Sequence, residues 1–224
     1  MKAFFKHNGV YLGMYVILLA LVGNVLLHHG KVQIHQLINA TVGNPLIDTF
    51  FKYLTHLGDG LFAILIVLVL FFYNTKKALY ILVTYLSAGL VSFIMKEYLF
   101  HGYYRPYPQF NWYLHEKLNL IQGVDILSNN SYPSGHALSA FALFMCLLLM
   151  TKSHALKVCY FLLALLAAYS RCYLSQHWLV DIFAGSIIGT FFSLLYYALF
   201  YSKSKFDNLS LPLSKLLAKN KQSV

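Results

Sequence analysis

Six apolar runs punctuate the chain, at roughly 10 to 28, 59 to 74, 77 to 96, 136 to 151, 155 to 170 and 178 to 202. Each is long enough to cross, or nearly cross, a hydrocarbon core of about 30 Å. Between the first two, the stretch from about 31 to 57 mixes polar and apolar positions in an amphipathic pattern, which predicts helix lying along the membrane interface. The pattern as a whole predicts an all-α, polytopic membrane protein: a six-transmembrane-helix bundle with an interfacial helical segment between the first two spans. No repeat, low-complexity tract or Pro/Gly/Ser linker divides the sequence. One integral membrane domain over 1–224 is expected, with its core at about 10–202 and a basic tail at 203–224. The first run lacks a small-residue cleavage site before His28 and His29, so it reads as a retained helix.

Composition agrees, with 59% hydrophobic residues, only 11% charged residues and a mean hydropathy of +0.61; soluble domains carry about 25% charged residues. The basic residues are unevenly placed. Lys2, Lys6, Lys76, Lys77, Lys152, Lys157, Lys203, Lys205, Lys215, Lys219 and Lys221 all fall at one set of span ends, opposed there by Asp207 alone. On the other side, Lys31, Lys52, Lys96, Arg105, Lys117 and Arg171 are balanced by Asp48, Asp59, Glu97, Glu116, Asp125 and Asp181. Lysine and arginine excess marks the cytoplasmic side, so both termini are expected there. The net charge of +10 is then explained by topology and anionic lipid, with no nucleic-acid partner.

The three cysteines, Cys146, Cys159 and Cys172, show neither metal-ligand spacing nor an obvious disulfide pair and read as small apolar filler. Single histidines such as His7, His28, His29, His35 and His154 read as interface residues, and the tripeptides beginning at Asn39 and Asn129 are too short to argue glycosylation.

Three polar clusters remain, and charge at span ends calls for a function because desolvating it is costly. "KEYLFHGYYRP" runs from Lys96 to Pro106, Pro133-Ser134-Gly135-His136 opens the fourth span, and "SRCYLSQHWLVD" joins the fifth span to the sixth. All three emerge on the non-cytoplasmic face in this topology. Arg105, Arg171 and Lys96 together suit a tetrahedral oxyanion, the two guanidinium groups as forks and the ammonium as a point charge. A helix beginning near Ser134 points unpaired N–H groups and the positive end of its dipole at an anion. Gly135 lets that backbone come close, and Ser134 adds a hydroxyl. His177 and Asp181 are four apart, so one helical face would hold them together, with Asp181 accepting the Nδ1 proton and Nε2 left as nucleophile. His136 then serves as acid toward the departing oxygen and as base toward water. The scheme requires no metal and no cofactor.

These clusters resemble the three signature motifs of the type 2 phosphatidic acid phosphatase superfamily: a Lys before Arg-Pro, then Pro-Ser-Gly-His, then Ser-Arg, five residues, His, three residues and Asp. The second and third match at Pro133 to His136 and at Ser170-Arg171 through His177 to Asp181. The first has eight residues between Lys96 and Arg105 where the pattern has six. The resemblance implies a metal-free phosphohistidine mechanism with His177 as nucleophile, Asp181 orienting it, and His136 as acid and base. Lys96, Arg105, Ser134, Gly135 and Arg171 would surround the phosphate.

The expected function is an integral membrane phosphatase acting on a lipid phosphate or diphosphate in the bilayer. Candidate substrates are undecaprenyl diphosphate, phosphatidylglycerol phosphate, phosphatidic acid and lipid A phosphates, since the motifs read only the phosphate. Two alternatives stand beside it: a vanadate-dependent haloperoxidase-like enzyme and a membrane anion transporter. The expected location is a bacterial inner membrane with the site facing the periplasm or exterior, and oligomeric state leaves no signature. Tyr103, Tyr104, Tyr107, Phe110, Trp112 and Tyr113 read either as interface anchors or, with residues 107 to 132 and the 31 to 57 stretch, as a wall for an acyl or prenyl chain.

Overall fold

The computed structural model describes residues 2–201 and 204–215. Among them the structure is all helix and turn, with no strand. In chain order the helices are α1 (Lys2–His28), α2 (Lys31–Asn39), α3 (Pro45–Leu54), α4 (Gly60–Tyr73), α5 (Thr75–Ile94), the single turn α6 (Pro106–Pro108), α7 (Gly135–Met150), α8 (His154–Tyr173) and α9 (Leu179–Tyr201). Local chemistry sets several boundaries. Asn44 caps α3 through Leu46 N and Ile47 N, with Pro45 in the first turn, and Asn74 caps α5 through Lys77 N. Ser134 and Ser153 cap α7 and α8 in the same way.

Among the described residues, four helical segments are long and apolar enough to cross a membrane: Phe4–His28, Thr75–Leu99, His154–Tyr173 and Leu179–Tyr201. The second apolar run forms only the 14 residues of α4, about 21 Å of helix. It qualifies as a span together with Pro45–Gly58, to which it is joined at a 55° bend. Residues 31–57 therefore split in role. α2 is not part of the bent pair, whereas α3 and the 3₁₀ turn Thr55–Gly58 form its other limb. The fourth run forms the 16 residues of α7, about 24 Å. Of the expected basic tail, residues 204–215 are described. Asp207 there accepts from Lys76 Nζ at 2.7 Å, and 203 and 216–224 lie outside the described residues.

α7 is the axle of the bundle. Twelve of its residues are buried, among α5, α8 and α9. Its close approach to α9 is made by two glycines one turn apart. A Cβ on Gly185 would stand 2.6 Å from Ser134 O, and one on Gly189 would stand 2.5 Å from Leu138 O and 2.8 Å from Ala142 N. Small residues at this spacing let helix backbones meet inside a membrane. Here the contact brings the first turn of α7 beside the first turn of α9, and Ser134 N donates to Asp181 O at 3.0 Å. Cys146 and Cys172 are buried and Cys159 is exposed, all as free thiols.

α2 docks on the bundle through His35, which is 1% exposed. Its ring lies 5.4 Å from that of Trp178 and 5.6 Å from that of Phe110, and Nε2 meets Ser175 Oγ at 3.1 Å. Burial lowers the His35 pKa to about 4.

Two expectations follow. Gly189→Ala must push α7 and α9 apart and should destabilise the fold by about 1–3 kcal/mol, whereas Gly23→Ala, whose Cβ would meet nothing nearer than 3.8 Å, should be neutral; thermal unfolding in detergent distinguishes them. His35 is neutral when folded and protonates below pH 6.5 when unfolded, so its contribution is present above that pH and is lost as pH falls toward 4. The melting temperature should drop across that window, and His35→Gln should reduce the slope by the share of one group, about 3 kcal/mol at the acid limit.

Candidate active site

The connection from α8 to α9 folds back on the end of α8. Gln176 N and His177 N both donate to Arg171 O, at 2.9 and 3.1 Å, and Ser175 adopts φ 53° to make the return. The fold-back places His177, 1% exposed, above the end of α8 and beside the first turn of α9. Asp181, from that turn, receives three donors on Oδ2: the Ser131 hydroxyl, Trp178 N at 2.9 Å and His177 Nδ1 at 3.2 Å. An ionised carboxylate only accepts, so Nδ1 carries the proton and Nε2 keeps its lone pair. That lone pair faces Arg105 Nη1 at 3.0 Å. Burial above all, then Arg105, Arg171 and Lys96, holds the His177 pKa well below its ordinary value. The imidazole is neutral at physiological pH.

Arg105 is fixed by carbonyls. Nη1 donates to Gln176 O and Nε to Asn129 O, both at 2.8 Å, and Nη2 reaches Asn130 O at 3.5 Å. Burial lowers its pKa to about 10, which leaves it charged at neutral pH. Arg171, 7% exposed, donates from Nη1 to Thr55 Oγ1 at 2.9 Å. Its Nε is buried, and among the described residues it has no hydrogen-bond partner. A buried N–H left unpaired in this way costs about 1–3 kcal/mol unless something accepts from it.

His136 sits in the first turn of α7 with Nε2 2.8 Å from Asp59 Oδ1, and Asp59 Oδ2 meets His56 Nδ1 at 2.9 Å. Asp59 stands at the bend between the Thr55–Gly58 turn and α4. Gly58 allows the approach, because a Cβ there would lie 2.9 Å from His136 O. Ser134 is fully buried, and its Oγ accepts from Ala137 N at 3.3 Å as the α7 cap. A hydroxyl that accepts in this way still has its proton to donate. Around Gly135 a Cβ would meet nothing within 4 Å, so the backbone is open to a close ligand. Lys96 lies half-buried in a π-helical turn, Met95–Leu99, that ends α5 with Phe100 N donating to Met95 O at 2.8 Å. The wider turn takes up extra length between Lys96 and Arg105, and Lys96 remains among the charges that act on His177.

All eight residues singled out in the sequence thus gather at one end of α7, α8 and α9. Sequence reasoning missed Asp59, Thr55 and Ser131, the partners of His136, Arg171 and Asp181. Asp59 had a signal, being an acidic residue flanked by glycines at the start of an apolar run; Thr55 and Ser131 had none. Phe110 was grouped with interface aromatics, but it is 1% exposed and stacks on Trp178 at 6.1 Å. Trp112 and Tyr113 are half exposed. Among the described residues no group of three or more His, Cys, Asp or Glu side chains is placed to hold a metal ion.

Comparison with known proteins follows the same lines. A search of curated protein sequences found no match. Among solved structures, the chain is similar to LpxE of Aquifex aeolicus, at 26% identity and TM-score 0.62, over 73% of this chain and 92% of that one. It shares its fold with a transmembrane PAP2 type phosphatidylglycerolphosphate phosphatase of Bacillus subtilis, at 20% identity and TM-score 0.62, over 89% of this chain and 99% of that one. The PAP2 superfamily model matches residues 77–205, more than half of the sequence and all three polar clusters except Asp59 and Thr55 in their supporting cast; the chain belongs to the PAP2 superfamily.

Proposed function

We propose that this protein is a membrane lipid phosphatase that removes phosphate from a lipid phosphate or diphosphate through a phosphohistidine on His177. One observation carries the reading: a buried neutral imidazole with its lone pair aimed at one arginine, beside a second arginine whose Nε lacks an acceptor. A phosphoryl group supplies what both lack. Its oxygens accept from Arg171 Nε and take over the Arg105 Nη1 proton, which frees the His177 lone pair for phosphorus.

The steps balance without a co-reactant other than water. His177 Nε2 forms the P–N bond as the P–O bond to the lipid breaks, and His136 gives its proton to the departing oxygen. Asp181 stabilises the charge that His177 acquires. Water then attacks phosphorus and passes a proton to His136, the P–N bond breaks, and phosphate leaves. Lys96, Arg105, Arg171, the α7 N-terminus and Ser134 hold the equatorial oxygens, where charge accumulates in phosphoryl transfer. Asp59 holds His136 in position, and its carboxylate offsets part of the burial and the Arg171 charge that lower the basicity of His136. The four long apolar segments favour this reading over the haloperoxidase-like one. The lysine surplus at one set of span ends supports a cytoplasmic position for both termini, with the reaction on the outer face of what we take to be a bacterial inner membrane.

The test is release of phosphate from a side-by-side panel of phosphatidic acid, phosphatidylglycerol phosphate, undecaprenyl diphosphate and lipid A in detergent with chelator present. One or more should turn over, and His177→Ala should abolish turnover while the protein still inserts and folds. Full activity in that variant would remove the nucleophile. For Asp59→Asn, loss of a charge-assisted hydrogen bond worth about 1.5–3 kcal/mol should lower kcat/KM on lipid substrates by about 10- to 150-fold. The loss should be much smaller on an aryl phosphate, whose leaving group needs no proton; equal losses on both would contradict the role given to Asp59.

A further inference from the structure

The end of the bundle opposite the catalytic cluster carries basic groups that the reaction does not use. A cavity of about 690 Å³ lies there between the first turns of α1, the α7–α8 connection and the last turns of α9. Phe4, Phe5, Leu149, Met150 and Tyr197 give it apolar walls, and His7, Lys152 and Lys157 give it its basic groups; among the described residues no Asp or Glu lines it. The three helices that supply the catalytic residues at their other ends set its depth, about 24 Å along α7 from the site. That is most of the about 30 Å of a hydrocarbon core.

Lys157 is the anomaly. Its side chain is buried, with the residue 1% exposed, yet Nζ donates to the Asn8 side-chain oxygen and, at 3.0 Å, to Leu148 O, with the Tyr11 ring 5.7 Å away. Every one of those partners is neutral. Lys76, at the same membrane face, is buried too but has Asp207 at 2.7 Å. A buried ammonium is expensive without a counter-ion, and the wall of this cavity is where one can reach it. α1 leaves the route open, since among its described residues only Asn8, Tyr11 and Tyr15 are buried.

We propose that this cavity binds one anionic phospholipid of the leaflet opposite the catalytic site. Its phosphodiester meets Lys157 and Lys152, and its acyl chains lie along the apolar walls between α1 and α9. Basic pockets between helices at a cytoplasmic face suit such headgroups, and aromatic walls suit the chains. The bound lipid would tie the loosely held α1 to the bundle, a structural role separate from that of any lipid substrate.

The experiment uses the full-length protein, delipidated in detergent, with dioleoyl phosphatidylglycerol and dioleoyl phosphatidylcholine as probes and native mass spectrometry as readout. Phosphatidylglycerol should be retained about fivefold or more over phosphatidylcholine and should raise the melting temperature, the scale set by one lysine against an anionic lipid. Lys152→Ala should erase most of that preference with phosphatase turnover unchanged, and Lys157→Met should erase it further if it folds. A phosphatidylglycerol with a photoreactive acyl chain should label peptides from 4–8 or 149–157. Equal retention of the two lipids, an undiminished preference in Lys152→Ala, labelling confined to the catalytic end, or equal protection by inorganic phosphate alone would each overturn the proposal.

Discussion

Asp181 Oδ2 is the atom on which the site converges. By accepting from Ser131, Trp178 N and His177 Nδ1, it fixes the tautomer of an imidazole that burial has already made neutral. In the mechanism proposed above, a nucleophile prepared in this way needs no base at the moment of attack. The rest of the structure serves that arrangement. Ser131 reaches Asp181 because Ser134 N is tied to Asp181 O, and that tie exists because Gly185 and Gly189 let α7 lie directly against α9. Arg105 arrives from a loop, anchored by the carbonyls of Gln176, Asn129 and Asn130. Loop and helix ends are thereby locked to one another around His177.

Electrostatics explains why such a site is built at a helix boundary. Two guanidinium groups and an ammonium converge on the two carboxylates Asp181 and Asp59, each engaged by a histidine. The positive balance lowers the basicity of His177 in the free protein and is relieved when a dianionic phosphoryl group enters. In the proposed mechanism, binding energy from the phosphate is thus coupled to the reactivity of His177, which is how an enzyme favours the transition state over the ground state.

Much of this was legible in the sequence because membrane insertion forces a simple code. Five of the apolar runs match their helices within a few residues, while α1 begins eight residues before its run, and the polar residues that survive at span ends mark the candidate site, since desolvation would otherwise exclude them. His177 and Asp181 could be paired from their spacing alone. What resisted reading depended on contacts distant in sequence. Asp59 meets His136 across 77 positions only after the bend below α4 is made, and Thr55 meets Arg171 across 116. The second apolar run looked like a plain span because hydropathy does not report a 55° break. Phe110 and His35 looked interfacial because neighbouring residues are; their burial comes from Trp178, which no local pattern ties to them. The extra length between Lys96 and Arg105 was visible, but the π-turn that takes it up is a property of backbone geometry.

The most direct test of the mechanism is to trap the intermediate. The purified protein is mixed with a ³²P-labelled lipid phosphate that it hydrolyses and quenched in alkali, where a phosphoramidate survives, and the labelled peptide is mapped. Label on the His177 imidazole, forming and decaying at the rate of turnover, is the expected result. Turnover with no protein-bound phosphate, or with phosphate on another side chain, would contradict the role assigned to His177.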